Sequence, residues 1–235
     1  MAGPAVEIEN LRFAWSRKGR DVLDIDRLTV QSGERLFLRG PSGSGKSTLL
    51  GLICGILVPD TGSVRVLGED MSALTGEGRD RMRGDRLGVI FQLFNLVPYL
   101  SVVQNVTLPL RFSRHRRARI GGDAGAEAER LLGHLGLSDP AILKRKVVDL
   151  SVGQQQRVAA ARALIGSPSL VIADEPTSAL DTEARDRFIH LLSEEAARSG
   201  AALLFVSHDP ALAAQFDRAL DLPVINRAIS AERAA

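Results

Sequence analysis

The stretch GPSGSGKST, residues 40–48, lies between an apolar run and a segment whose apolar residues recur at helical spacing. It fits the pattern Gly, four residues, Gly, Lys, Ser/Thr, which forms phosphate-binding loops between a strand and a helix. The apolar run Leu36 to Leu38 predicts that strand, and KSTLLGLICGIL, which Pro59 ends, predicts that helix. Strand, glycine-rich loop and helix together predict an α/β fold with a mainly parallel sheet.

Each residue type in this loop has a chemical reason to be there. Glycines let the backbone curl until its N–H groups point at phosphate oxygens, and the following helix adds the positive end of its dipole. We expect Lys46 to reach the terminal phosphates and the Ser47 hydroxyl to bind Mg²⁺. A glycine-rich turn with an incidental lysine is the alternative, and the strand–loop–helix context disfavours it. The predicted nucleotide-binding residues are Gly40, Ser42, Gly43, Ser44, Gly45, Lys46, Ser47 and Thr48.

A second apolar run ends in two adjacent carboxylates, in the sequence LVIADEP, residues 170–176. In a doubly wound sheet, ligands bind at the carboxyl ends of the strands, where these two side chains would lie. We expect Asp174 to hold Mg²⁺ and Glu175 to act as the base for an attacking water. The alternative is an acidic start of the next helix, because Asp and Glu favour first turns.

The rest of the chain alternates between strand and helix patterns. Strands are predicted in SVRVLG, RLGVIFQ, SLVIA and ALLFVS; helices are predicted from Ser151 to Leu164 and around Phe188, Leu191 and Leu192. Between about Leu93 and Val148 the patterns are helical and no strand is evident. We therefore predict a single domain over residues 1–235, with a helical subdomain at approximately 93–165 inserted in the α/β core.

Composition excludes several classes of protein. The chain has 235 residues, 45% hydrophobic and 25% charged, so disorder and fibrous structure are poor explanations. A net charge of +2 does not demand nucleic acid, and a lone cysteine, Cys54, allows no internal disulfide and is expected in the core. We find no signal-peptide pattern and no apolar run near the length of about 20 residues that spans a bilayer. The chain itself is expected to be soluble.

The octet LSVGQQQR, Leu150 to Arg157, opens an alanine-rich helix and could bind an anion, although a phosphate loop is already present. The chain resembles the nucleotide-binding subunit of ATP-binding cassette (ABC) transporters over nearly its whole length. The motifs that carry this resemblance are, in order, GPSGSGKST, VIFQ, LSVGQQQR, LVIADEP, SALD and VSHD.

The resemblance implies a fold, a reaction and further site residues. It implies the core of a phosphate-loop nucleoside triphosphatase with an N-terminal antiparallel β region, and hydrolysis of ATP with Mg²⁺. Gln92 would end a strand and contact Mg²⁺ and the attacking water, and His208 would contact the γ-phosphate. Trp15 would stack on adenine. The residues alone leave alternatives open: a strand-end amide for Gln92, a surface histidine for His208 and plain packing for Trp15.

The resemblance also answers what the octet is for. In this family two subunits meet head to tail, so Ser151, Gly153 and Gln154 would cap the γ-phosphate that the partner's loop holds. The stretch Ser178 to Asp181 would lie across the dimer interface. The family usually has glycine where this chain has Val152, and valine would be a costly outlier if that position needed a positive φ.

The expected partner is an integral-membrane permease at the cytoplasmic face of the cell (inner) membrane, and no nucleic acid is expected. LFNLVPYLSVVQNVTLPL would receive the permease, with internal packing as the alternative. RFSRHRRARI, with five arginines, would face lipid headgroups or be a solvated face. The chain is most similar to lipoprotein-releasing and macrolide-efflux ATPases. The alternatives are a regulatory ATPase that signals through a membrane partner, as in cell division, and a soluble cassette ATPase acting on nucleic acid or ribosomes.

Overall fold

A computed structural model describes residues 3–16, 19–178 and 180–229, and the chain divides into two compact units. The first unit comprises the residues up to Arg83 and those from Ala202 onward; the second is Gly84–Ala201. The strands are β1 Val6–Phe13, β2 Leu23–Val30, β3 Arg35–Arg39, β4 Thr61–Val66, β5 Glu69–Asp70, β6 Leu87–Ile90, β7 Leu170–Asp174, β8 Ala202–Ser207 and β9 Arg218–Asp221. The helices are α1 Lys46–Ile53, α2 Gly76–Arg86, α3 Val102–Thr107, α4 Arg114–Ile120, α5 Ala124–His134, α6 Pro140–Leu143, α7 Val152–Leu164, α8 Thr182–Ser199 and α9 Leu222–Ile225.

An antiparallel sheet in the first unit has the order β2-β1-β4-β5. Val6 of β1 pairs with Val30 on one side and with Val66 on the other, and all three side chains are buried. The register between β1 and β4 shifts between Glu9 and Arg12. This sheet confirms the N-terminal antiparallel region.

The parallel strands of the first unit carry the phosphate loop. β3 pairs in parallel with both β8 and β9, and residues 36–38 and 202–207 are buried throughout. Strands covered on both faces read as continuous apolar runs, which is why RLFLR and ALLFVS were recognisable. The rings of Phe37, Phe205 and Phe216 pack together with centroids 5.0 to 6.2 Å apart. The predicted α/β fold is confirmed.

The helix after the phosphate loop is shorter than the sequence predicts. It ends at Ile53 rather than near Leu57, because Gly55 adopts a left-handed conformation with φ of 67°. The amides of Ile56 and Leu57 then both donate to the carbonyl of Gly51. Cys54, which follows the helix, is buried in the core as predicted.

In the second unit, β6 and β7 pair in parallel, with Ile90 opposite Ala173. The prediction that Gln92 ends a strand is wrong by two residues, because β6 stops at Ile90. A turn follows, in which the amide of Phe94 donates to the carbonyl of Phe91 and Phe94 has a φ of 58°. Gln92 therefore lies in the turn, where it is exposed.

The middle of the second unit is helical, as predicted. Among the described residues between Phe91 and Ser151, the only β pairing is an isolated bridge between Ser101 and Lys146. Asn105 of α3 is fully buried, and its amide bonds to both backbone groups of Val97. The approximate bounds 93–165 for a helical subdomain stay a prediction.

The arginine-rich segment does not lie wholly at the surface. Arg116 of α4 is 2% exposed, and its guanidinium donates to the carbonyls of Leu87, Ala163 and Ile165. Burial lowers the pKa of Arg116 to about 10. The other four arginines of the segment are exposed. Both sequence interpretations, lipid contact and a solvated face, require arginines at the surface, and Arg116 fits neither.

Candidate nucleotide-binding site

The phosphate loop joins β3 to α1, and its glycines are required by its shape. Gly43 and Gly45 have φ values of 80° and 93°, a region that other residues rarely adopt. A Cβ at Gly45 would lie 2.8 Å from a side-chain carbon of Leu23, and one at Gly40 would lie 2.6 Å from Oγ of Ser44. Gly43 is therefore favoured by conformation, Gly40 by space, and Gly45 by both.

The first turn of α1 has no side-chain cap. Gly45 precedes the helix and offers no side chain to bond its N–H groups, and the first turn contains no acidic residue. Because the first N–H groups of a helix have no intrahelical acceptor, an uncapped start attracts an anion. Within the loop, Ser42, Gly43 and Ser47 are exposed, whereas Ser44 and Thr48 are buried.

Lys46 folds back over the loop. Its ammonium donates to the carbonyl oxygens of Gly40 at 2.7 Å and Pro41 at 3.0 Å. A positive charge is thus already held at the mouth of the loop, where the sequence predicts contact with the terminal phosphates.

His208 lies at the same sheet edge as this loop. Arg39 and Ser207 are paired residues of β3 and β8, and Gly40 and His208 each follow directly. An ion pair between Arg39 and Asp221 ties β3 to β9 at this edge. The hydrogen bond from Arg39 lowers the pKa of the Asp221 carboxyl below its usual range. The structure therefore brings His208 and the phosphate loop together.

Trp15 follows β1 and is 66% exposed. Its ring meets the Phe13 ring edge to face, with centroids 5.3 Å apart and planes at 85°. Packing against neighbouring residues therefore covers only about a third of the Trp15 side chain, and the rest is open to solvent. Stacking on adenine stays a prediction for Trp15.

The two adjacent carboxylates lie where the sequence predicts, at the carboxyl end of β7. Asp174 is the last residue of β7, and Gln92 lies two residues beyond Ile90 at the corresponding end of β6. Glu175 has a φ of 46°, which is uncommon for a side chain other than glycine, asparagine or aspartate. Such strain costs of order 1–3 kcal/mol and clusters at functional sites. No sequence pattern indicated this conformation.

The octet has a structural role that the sequence analysis missed. Ser151 caps α7: its Oγ accepts from the amide of Gln154 at 3.3 Å, and Oε1 of Gln154 accepts from the amide of Ser151 at 3.0 Å. This reciprocal pair is a capping box, and the spacing Ser-x-x-Gln was its signal. Because Ser151 accepts in this bond, its own O–H proton remains a donor for an anion.

Val152 and Gly153 are ordinary helical residues. Val152 opens α7, is 50% exposed and is not among the residues with positive φ, so valine is not strained there. A Cβ at Gly153 would meet only Leu180, at 3.5 Å, which is a normal contact. Packing within the chain therefore does not require glycine at 153.

In the predicted interface stretch, Ser178 to Asp181, Ala179 lies outside the described residues. Asp181 caps α8 by accepting from the amide of Ala184.

Two wider features bear on cofactors and membranes. Across the described ranges, no three or more His, Cys, Asp or Glu side chains are grouped to hold a metal ion. The predicted Mg²⁺ ligands Ser47, Gln92 and Asp174 include only one residue of those types, so they would not form such a group. Within the same ranges, no helix has the length and apolar character needed to cross a bilayer.

Comparison with known proteins identifies the family. The sequence profile of the ABC transporter family matches residues 23–178 of the chain. The lipoprotein-releasing system ATP-binding protein LolD of Anaeromyxobacter dehalogenans is 44% identical over 224 residues, covering 94% of this chain and 92% of that protein. The macrolide export ATP-binding/permease protein MacB 1 of Aeromonas hydrophila is 40% identical over 225 residues, covering 94% of this chain and 34% of that protein.

Solved structures agree with the sequence relatives. The dimeric structure of the ATP-binding cassette MJ0796, in a post-hydrolysis state bound to ADP and Pi, superposes with a TM-score of 0.81. It is 32% identical, and the match covers 92% of this chain and 93% of that one. The resemblance, the cassette fold and the ATPase activity expected from the sequence are confirmed. The chain belongs to the ABC transporter family and is an ATP-hydrolysing enzyme of that family.

Proposed function

We propose that this ATPase drives a separate membrane permease from the cytoplasmic face of the inner membrane. In this proposal two copies close head to tail around ATP, and hydrolysis lets them separate. The transported substances are lipoproteins, lipids or efflux substrates. The names of the relatives support this: LolD belongs to a lipoprotein-releasing system, and MacB 1 combines ATP-binding and permease functions.

The observation that carries the proposal is the phosphate loop with an uncapped helix start and Lys46 held over it. Lys46 and the first amides of α1 would neutralise the terminal phosphates, and His208, at the same sheet edge, would contact the γ-phosphate. Glu175 would accept the proton of the attacking water, which Gln92 would help to orient. Trp15, which is largely exposed, would stack on the adenine.

Mg²⁺ fits the side chains that the sequence singles out. The hydroxyl of Ser47, the amide oxygen of Gln92 and the carboxylate of Asp174 are hard oxygen donors, the kind that this ion prefers. When bound, the ion would neutralise charge on the phosphate oxygens.

The head-to-tail dimer would use the start of α7. Glycine at 153 has no packing reason within the chain, and the adjacent Val152 is half exposed. A bare amide next to a capped helix start is suited to an anion that comes from outside the subunit. We therefore propose that Ser151, Gly153 and Gln154 cap the γ-phosphate of the partner, with Ser178 to Asp181 at the interface. The dimeric form of the MJ0796 cassette supports this arrangement.

The permease would dock on the segment after Gln92. Within it, the large side chains of Leu93 and Tyr99 are 84% and 73% exposed and so accessible to a partner. Internal packing explains their neighbours Val102 and Val106, which are fully buried. The two sequence explanations for this segment therefore apply to different residues.

The Glu175→Gln variant tests the proposed chemistry. Because glutamine cannot accept the proton, turnover should fall by about 10²–10⁴-fold while ATP binding is kept. Size-exclusion chromatography should then show a dimer with ATP and a monomer with ADP. Glu183→Gln is the matched control, since Glu183 is an exposed residue of α8 that pairs with Arg187, and its turnover should stay at the wild-type rate. Normal turnover by Glu175→Gln would contradict the assignment.

Copurification separates the alternatives for the partner. A membrane permease bound to the tagged protein would support transport or signalling, and a flux assay in vesicles would separate those two. Recovery of nucleic acid or ribosomes instead would contradict the proposed partner.

A further inference from the structure

Asn226 follows α9 in the first unit and is fully buried. Its amide uses its full hydrogen-bonding capacity on backbone groups. Oδ1 accepts from the amides of Asp24 at 2.8 Å and Ala228 at 3.3 Å, and Nδ2 donates to the carbonyls of Val22 at 2.9 Å and Ser44 at 3.5 Å. A buried amide satisfied at both ends fixes the segments that it joins. Here it joins the start of β2 to the middle of the phosphate loop.

The neighbouring loop residues rest on the same two segments. A Cβ at Gly45 would come within 3.3 Å of the carbonyl of Val22. A Cβ at Gly40 would come within 3.3 Å of the ring of Pro223 in α9. The start of β2 and the segment 223–226 thus form a seat under the phosphate loop, which we call the loop seat.

The bond to Ser44 has a directional consequence. In a trans peptide the C=O of one residue and the N–H of the next point in opposite directions. When Nδ2 of Asn226 holds the carbonyl of Ser44 in the loop seat, the N–H of Gly45 points the other way. In a phosphate loop the outward-facing N–H groups are the ligands of the anion.

We propose that Asn226 is a positioning residue of the nucleotide site: by holding the Ser44 carbonyl in the loop seat, it turns the Gly45 amide towards the phosphates. This rests on the proposed assignment of the loop 40–48 as the phosphate site. Asn226 touches neither nucleotide nor reacting atoms, and its effect passes through the loop backbone. The sequence around it, LPVINRAIS, matches no motif that indicates such a role.

A second buried asparagine provides a matched control. Asn105 is also fully buried and bonds through both ends of its amide to backbone groups, but it lies in the helical part of the second unit. Asn226→Ala and Asn105→Ala therefore remove the same group from equally buried sites. The free energy of unfolding without nucleotide should fall for both variants, because each leaves buried backbone groups unpaired.

Nucleotide binding should separate the two variants. With ADP and Mg²⁺ in a calorimeter, Asn226→Ala should bind about tenfold more weakly, the effect of roughly one lost hydrogen bond in the loop. Asn105→Ala should bind within about twofold of wild type. In steady-state assays the KM for ATP should rise for Asn226→Ala while kcat at saturation changes little, because the lost contact acts on binding.

Wild-type ADP affinity in a folded Asn226→Ala protein would reduce Asn226 to a structural residue. If that variant does not fold, Asn226→Ser, which keeps one hydroxyl donor and acceptor, must show the weakened ADP binding in its place. Lys46→Ala tests the proposed phosphate site separately from Asn226: wild-type ADP binding by Lys46→Ala would mean that the phosphate site itself is wrongly placed.

Discussion

Helices α1 and α7 begin in opposite ways, although the proposed function places a phosphate at the start of each. α1 starts after a left-handed glycine with no side-chain cap, whereas α7 starts with a reciprocal capping box between Ser151 and Gln154. The capping box satisfies the amides of Ser151 and Gln154, which stabilises the start of α7 within the chain. An uncapped start leaves donors for a ligand. The start of α1 therefore leaves donors for the proposed nucleotide, whereas the capping box stabilises the start of α7 in the absence of nucleotide.

The largest effect should come from Lys46→Ala, which removes the ammonium that lies over the uncapped start of α1. We expect ADP binding to become undetectable at micromolar nucleotide and turnover to fall at least about 100-fold, because the phosphate charge loses its partner. Calorimetry measures ADP binding, and the rate of phosphate release measures turnover. The free energy of unfolding without nucleotide should fall by only about 1 kcal/mol, because the two hydrogen bonds that are lost are partly exposed.

Gly153→Ala tests whether the second helix start receives an anion from a partner. The variant should fold as well as wild type, because a Cβ at 153 meets only an ordinary contact. Turnover should nevertheless fall by about tenfold or more, because the methyl group occupies space at the shared phosphate. ADP binding to the monomer should be unchanged.

Gly133→Ala, on α5, is the matched control for that experiment. Nothing lies within 4 Å of a Cβ there, so helix propensity should raise stability by about 0.5–1 kcal/mol. Its turnover should match wild type. Equal turnover in both alanine variants would remove the reason for placing an anion at α7.

The smallest effects separate capping from phosphate contact within α7. Ser151→Ala should lower the free energy of unfolding by about 1 kcal/mol, because the amide of Gln154 loses its acceptor. Gln154→Glu keeps the capping box and should leave that free energy within a few tenths of a kcal/mol. Urea titration measures both.

Turnover completes this comparison. Gln154→Glu should still reduce ATPase activity, because a carboxylate would face the partner's phosphate. If it hydrolyses ATP at the wild-type rate, Gln154 serves only the cap.

Sequence reasoning succeeded where one segment contains its own signal. The phosphate loop, the buried strands and the α7 helix from Ser151 to Leu164 all follow from local pattern. Sequence reasoning failed where the backbone conformation of single residues decides where a helix or strand ends. The end of α1 depends on a left-handed Gly55, and β6 gives way to a turn closed by the bond from the Phe94 amide to the Phe91 carbonyl.

The proposed site residues divide in the same way. Asp174 was recognisable because an apolar strand leads directly to it. Asn226 was not, since its partners Val22, Asp24 and Ser44 lie about 180 to 200 positions away along the chain. Contacts over that separation leave no periodicity in a single sequence.

The left-handed backbone of Glu175 has an evolutionary consequence. A glycine would adopt that conformation without strain. The protein is therefore less stable with glutamate, the residue that we propose as the base, than it would be with glycine at this position. Selection for thermal stability alone would favour glycine here, and glycine would remove the carboxylate that we propose as the base. The strained backbone at Glu175 is therefore a position where stability and the proposed turnover oppose each other.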